Sequence, residues 1–94
     1  MSMYIKGIIK TIAKEQKITD KLTKRVFVLE TDFESNYPQL IEMELVNDKC
    51  DLIDPYMVGE TVTVHFNLRG REVTQKDGNK RIYNTISAWK FEKG

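Results

Sequence analysis

Apolar and polar residues alternate with a period of two through most of this chain, the pattern of strands that bury one face. The cleanest run is Val62, Val64, Phe66 and Leu68, each separated by one more polar residue. Ile41, Met43 and Leu45 alternate with Glu42 and Glu44, and Val26 and Val28 oppose Phe27 and Leu29. In residues 3–14, Ile5, Gly7, Ile9 and Ala13 share one face, while Tyr4, Lys6, Ile8, Lys10, Ile12 and Lys14 share the other. Isoleucine on both faces predicts a long, bent strand, with Gly7 at the bend or at a close backbone approach. In Arg81–Phe91, alternation puts Ile82, Ile86 and Ala88 on one face and Tyr83, Trp89 and Phe91 on the other.

The period breaks once. Between Asn47 and Met57, Cys50, Ile53 and Met57 follow at three- and four-residue spacing, with Asn47 or Asp48 placed to cap a short helix and Pro55 limiting its length. Residues 15–23 and 34–38 read as a loop and a turn. Residues 69–80 read as a basic connection whose Asp77-Gly78 is a tight-turn signal. The expected order is β-β-β-α-β-β in one domain spanning residues 1–94, an all-β fold with one short helix. That helix position favours a five-stranded OB-fold barrel over an SH3-like barrel, which lacks the insert.

Four segments carry a family resemblance: Tyr4-Ile5-Lys6-Gly7-Ile8-Ile9, Arg25-Val26-Phe27-Val28-Leu29-Glu30-Thr31, Val58-Gly59-Glu60-Thr61-Val62-Thr63-Val64 and Ile86-Ser87-Ala88-Trp89-Lys90. They resemble a family of short, largely uncharacterised bacterial OB-fold proteins similar to single-stranded-DNA-binding proteins, and the resemblance covers nearly the whole chain. It implies the OB fold and nucleic-acid binding. The Gly/Gln-rich tail ending in acidic residues, typical of bacterial single-stranded-DNA-binding proteins, has no counterpart here, so tail-mediated recruitment of repair enzymes is not expected.

Net charge is +1, but its distribution is uneven. Residues 1–25 hold seven Lys/Arg against two acids, residues 26–60 one base against nine acids, and residues 61–94 seven bases against three acids. A barrel that gathers its two basic ends would present a basic groove to a polyanion. In an OB barrel the two loops that flank the binding cleft correspond here to Lys14, Lys17, Lys21, Lys24 and Arg25, and to Arg69, Arg71, Lys76, Lys80 and Arg81. Those ten are the expected phosphate contacts, of sequence-tolerant and salt-sensitive affinity. Phe27, Tyr83, Trp89 and Phe91 are the candidate base-stacking rings, with Tyr4 and Tyr37 as secondary candidates. For Phe27 the core is the competing assignment, and for Trp89 and Tyr83 a subunit interface competes with a ligand. Glu30, Glu42 and Glu44 oppose this reading, because carboxylates near the cleft repel phosphate.

Composition and spacing exclude other classes. The single Cys50 forbids an intrachain disulfide framework. No His/Cys/carboxylate set has metal-ligand spacing, so neither a metal nor a cofactor is expected. His65, alone on a polar strand face, reads as a solvated residue rather than a general base. Acids around Cys50 would raise its pKa and disfavour a thiolate nucleophile. The longest apolar run is four residues, Val26–Leu29, too short to span a bilayer, and no signal-peptide core opens the chain. The expected location is the cytoplasm, with no small-molecule substrate. The expectation is a non-enzymatic OB-fold protein binding single-stranded nucleic acid, DNA ahead of RNA, as a dimer or tetramer. The alternative is an assembly module whose acidic middle meets the basic loops of another copy.

Overall fold

A computed structural model describes residues 3–32 and 35–94. Six strands, β1 (Met3–Ile12), β2 (Gln16–Thr19), β3 (Leu22–Thr31), β4 (Gln39–Val46), β5 (Thr61–Thr74) and β6 (Lys80–Lys93), are joined by one 3₁₀ helix, Asn47–Ile53, between β4 and β5. The strands follow the order β1-β5-β6-β4-β3-β2, and a further β1–β3 pairing closes five of them into a barrel. This is the OB fold. β4 and β6 run parallel where they meet, at Glu44 and Ser87, and the other pairings are antiparallel.

Closure depends on β1 serving two partners. Met3 to Ile8 pair with β5, and Ile8 to Ile12 pair with β3. Gly7 sits at the crossover, where an added Cβ would lie 2.7 Å from the Glu30 carbonyl oxygen and 2.8 Å from Leu29 Cγ. The expected close approach is therefore the reason for this glycine. A register shift between Ile9 and Thr11 reverses the alternation. It turns Ile12 toward the core and leaves Ala13 exposed, contrary to a single period running from residue 3 to 14.

The core is Ile9, Phe27, Leu29, Met43, Leu45, Cys50, Ile53, Val62, Val64 and Ala88. Phe27 packs against Phe91 with ring centroids 5.3 Å apart, and Tyr56 stacks on the same Phe91 at 5.6 Å. The 3₁₀ helix seals one end of the barrel with Cys50 and Ile53. Its cap differs from expectation. Val46 is the N-cap, with no side-chain capping bond. Asn47 instead adopts φ 54° and accepts a hydrogen bond from the Thr23 backbone N–H at 2.9 Å. Met57 is 71% exposed, so the helical spacing ends at Ile53.

Two expected connections are strands. Residues 16–19 form β2, a short hairpin arm on β3. β5 and β6 continue their ladder through Thr74 and Lys80, so most of the basic connection 69–80 is paired ribbon rather than loop. Its turn holds Gly78 at φ 87°, with the Asp77 carboxylate accepting from the Asn79 backbone N–H at 3.0 Å. At the other turn, Glu34, which begins the expected 34–38 turn, lies outside the described residues. Among the described residues, no helix is long and apolar enough to cross a membrane.

Candidate functional site

Cross-strand partners share a face, so register decides which side chains can act together. On the outer face of the β5–β6 ladder, Asn67 pairs with Ser87, Arg69 with Thr85, Arg71 with Tyr83, and Val73 with Arg81. At His65 and Phe66 the ladder shifts register, which leaves Trp89 as the extra residue of a bulge. The bulge flips the parity of β6. Trp89 remains outside, 5.4 Å from the His65 ring, while Phe91 turns into the core. The strict alternation that placed Phe91 beside Trp89 fails for this reason.

The outer face then reads as one stripe. Tyr4, paired with His65, lies 5.6 Å from it, His65 lies against Trp89, and Asn67, Arg69, Arg71, Tyr83 and Arg81 continue along the ribbon. The Arg81 guanidinium stands 5.2 Å from the centre of the Tyr83 ring, within cation–π range. His65 is not the solvated residue its isolated position suggests. Its side chain is 16% exposed, held between Tyr4 and Trp89 with Nε2 3.4 Å from Glu92. That contact, and then Lys90, hold the Glu92 carboxyl below its ordinary pKa.

Three linked recesses lie between this stripe and the β3–β4 side of the barrel. One of about 430 Å³ is lined by Val46, Asn47, Asp48, Lys49, Asn67, Arg69, Ser87 and Trp89. The next, of about 490 Å³, is lined by Leu22, Lys24, Glu44, Val46, Arg69, Gly70, Arg71, Tyr83 and Thr85. Val46 and Arg69 belong to both, so the two form one groove. A third, of about 340 Å³, opens where β4 and β6 splay apart, lined by Lys24, Val26, Glu42, Met43, Glu44, Asn84, Thr85 and Ile86.

The structure brings some of the candidate residues together and separates others. Lys24, Arg69, Arg71 and Tyr83 meet in the central recess, and Trp89 walls its neighbour. Lys14, Lys17, Lys21, Lys76, Lys80 and Arg81 are exposed but line none of these recesses. Lys17 pairs with Asp20 and Lys80 with Glu72, both at the surface. Arg25 has a structural position. Its Nε donates to the Ala13 carbonyl at 3.0 Å, and Nη1 donates to the Cys50 carbonyl at 3.2 Å and the Asp54 carboxylate at 2.7 Å, tying the end of β1 to the helix. Phe27 is fully buried, so it fills the core and has no face for a base.

The carboxylate problem is partly resolved by pairing. Glu44 lines the groove but is ion-paired with Lys24. Arg69 and Arg71 have no carboxylate partner among the described residues. The ribbon wall is therefore cationic, and the carboxylates of the groove left without an ion-pair partner among the described residues are Asp48 beside Trp89 and Glu42 at the β4 end. Cys50 is unsuited to nucleophilic chemistry. Burial first, and then Glu15, Asp51 and Asp48, push its thiol pKa up against the opposing pull of Arg25, and Sγ sits 3.3 Å from the Leu45 carbonyl oxygen. Sequence reasoning named Tyr4 as a secondary stacking candidate but missed His65 and Asn67 as members of the stripe. Only the β1–β5 register, which no local pattern reveals, places them there.

The architecture is that of the OB fold. The chain belongs to the DUF3127 family, described as a domain of unknown function, whose model matches residues 4–92. Among curated proteins, no sequence matches significantly. Solved structures give the fold independently. The mitochondrial single-stranded DNA binding protein Rim1 of S. cerevisiae superposes with a TM-score of 0.72 at 14% identity, covering 100% of this chain and 97% of that one. The N-terminal domain of PriB from Thermoanaerobacter tencongensis, described as dimeric, gives 0.63 at 17% identity over 97% and 92% of the two chains. A small single-stranded DNA-binding protein of Streptomyces coelicolor gives 0.59 at 14% identity over 100% and 94%.

Proposed function

We propose that this protein is a non-enzymatic binder of single-stranded nucleic acid, DNA ahead of RNA, with little sequence preference overall. The observation that carries the reading is the stripe of rings and arginines: Trp89, Arg69, Arg71 and Tyr83 line the groove, and Arg81 continues the stripe beyond it, so stacking surfaces and positive charge lie side by side. A strand laid there places phosphates against the guanidinium groups, which releases counterions, and bases against the rings, which contribute ~1–3 kcal/mol per stack. The exposed Lys14, Lys21 and Lys76, which have no carboxylate partner among the described residues, add a diffuse positive field that steers the strand toward the groove. The structural neighbours named for single-stranded DNA binding support the same role.

Fluorescence anisotropy with labelled oligothymidine at low and high salt tests it. Binding that weakens steeply with salt, with quenching of Trp89, the sole tryptophan, is the expected result. No binding at low salt, or binding indifferent to salt, contradicts it.

Self-association is a compatible second feature. The inner face of the ribbon projects beyond the barrel and carries Leu68 and Ile82 at 62% and 67% exposure, the apolar exposure that subunit contacts cover. Sedimentation of the free protein tests this, with a dimer or larger species expected and a strict monomer contradicting it.

A further inference from the structure

The recess beside Trp89 contains a group that a phosphate path does not explain. Asp48 lines it with Trp89, Asn67 and Arg69, and it has no ion-pair partner among the described residues. A free carboxylate repels phosphate but accepts hydrogen bonds from N–H groups on base edges. The other polar groups of the recess are open as well. Asn47 uses its carbonyl oxygen on the Thr23 N–H and keeps its amide N–H donors. The Asn67 amide has no hydrogen-bonding partner among the described residues. Trp89 Nε1 is buried without a partner, so the indole is held in place by packing against His65 rather than by a hydrogen bond.

Resting on the reading above, we propose that this recess is a nucleobase subsite that selects guanine from a bound single strand. Guanine alone among the four DNA bases presents two adjacent N–H donors, N1–H and N2–H, on its Watson–Crick edge, matching the two oxygens of the Asp48 carboxylate. Its O6 accepts from an Asn67 or Asn47 amide N–H, Trp89 supplies the stacking surface, and Arg69, shared with the central recess, holds the neighbouring phosphate. Thymine offers a single N–H flanked by two carbonyl oxygens that a carboxylate repels. Unstacked bases read on this edge are the usual route to selectivity in single strands.

The test compares anisotropy titrations of oligothymidine with a strand of equal length in which every third base is guanine, and with matching adenine- and cytosine-substituted strands. The guanine strand should bind about tenfold more tightly than oligothymidine, the discrimination of one good paired contact, and Asp48→Ala should bring that ratio close to one. In parallel, deoxyguanosine monophosphate should quench Trp89 fluorescence at a lower concentration than thymidine monophosphate, again only while Asp48 is present. Tight oligothymidine binding with no guanine preference overturns the subsite and leaves strand binding standing. A guanine mononucleotide preference in a protein that binds no oligonucleotide supports the subsite and overturns strand binding. A preference that survives Asp48→Ala, or that favours adenine or cytosine over guanine, overturns the subsite.

Discussion

The barrel and the β5–β6 ribbon are built from the same alternating pattern with opposite results. Inside the barrel, the alternate residues Val62 and Val64 on β5 disappear into a closed core. Farther along the same strand, Leu68 stays exposed, because the ribbon has left the barrel and no second layer covers it. The outer residues differ as well. On the barrel wall, Glu44 is tied to Lys24, whereas on the ribbon Arg69 and Arg71 have no carboxylate partner among the described residues. Burial makes the barrel stable and inert. Projection leaves the ribbon available to a ligand at little cost to the fold.

If that division is right, substitutions in the two regions should separate stability from binding. Phe27→Ala, in the centre of the core, should lower unfolding stability by about 3–5 kcal/mol in urea denaturation, an effect large enough to unfold a domain of this size. Gly7→Ala forces a Cβ against the Glu30 carbonyl at the barrel seam and should cost about 1–3 kcal/mol in the same assay. Tyr83→Ala should instead weaken oligothymidine binding by ~1–3 kcal/mol, while the denaturation midpoint stays close to wild type. Arg69→Ala and Arg71→Ala should each leave stability within about 0.5 kcal/mol, weaken binding and flatten the log–log salt slope by about one. A ribbon substitution that unfolds the protein would break the division.

The smallest expected effects concern protons. The folded-state pKa of Cys50 is raised, so the folded protein holds its proton where the unfolded chain releases it. Stability is then undiminished below the ordinary thiol pKa and falls as pH rises from there through the folded value. Alkylation by iodoacetamide at mildly alkaline pH should be slow in the native protein and fast in denaturant. Glu92 has the opposite sign. Its lowered pKa stabilises the fold above the ordinary carboxyl value, and the contribution is lost as pH falls through the folded one. Glu92→Gln should reduce this acid sensitivity in pH-dependent melting.

The barrel was readable in the sequence because burial imprints a period on it: Val62 and Val64, Met43 and Leu45, and Phe27 and Leu29 all face inward as their spacing indicates. The helical interruption at Cys50 and Ile53 then distinguished this barrel from others. What escaped sequence reading has two physical origins. Bulges change parity without changing composition, which is why Phe91 enters the core while Trp89 remains on the outer face, and why Ile12 turns inward. A ribbon with no core beneath it carries no burial signal, so Arg69, Gly70 and Arg71 read as a loop although they lie in a continuous ladder. The lysines and arginines fall into two clusters along the sequence, but only register shows that Lys24 meets Arg69 and Arg71 while Arg25 is committed to Ala13, Cys50 and Asp54.

Amide and indole chemical shifts recorded by heteronuclear NMR during an oligothymidine titration address the placement of the ligand most directly. Changes should concentrate at Asn67 to Arg71, Arg81 to Thr85 and the Trp89 indole N–H. Shifts confined to the β2 arm or the far wall of the barrel, with the ribbon silent, would contradict it.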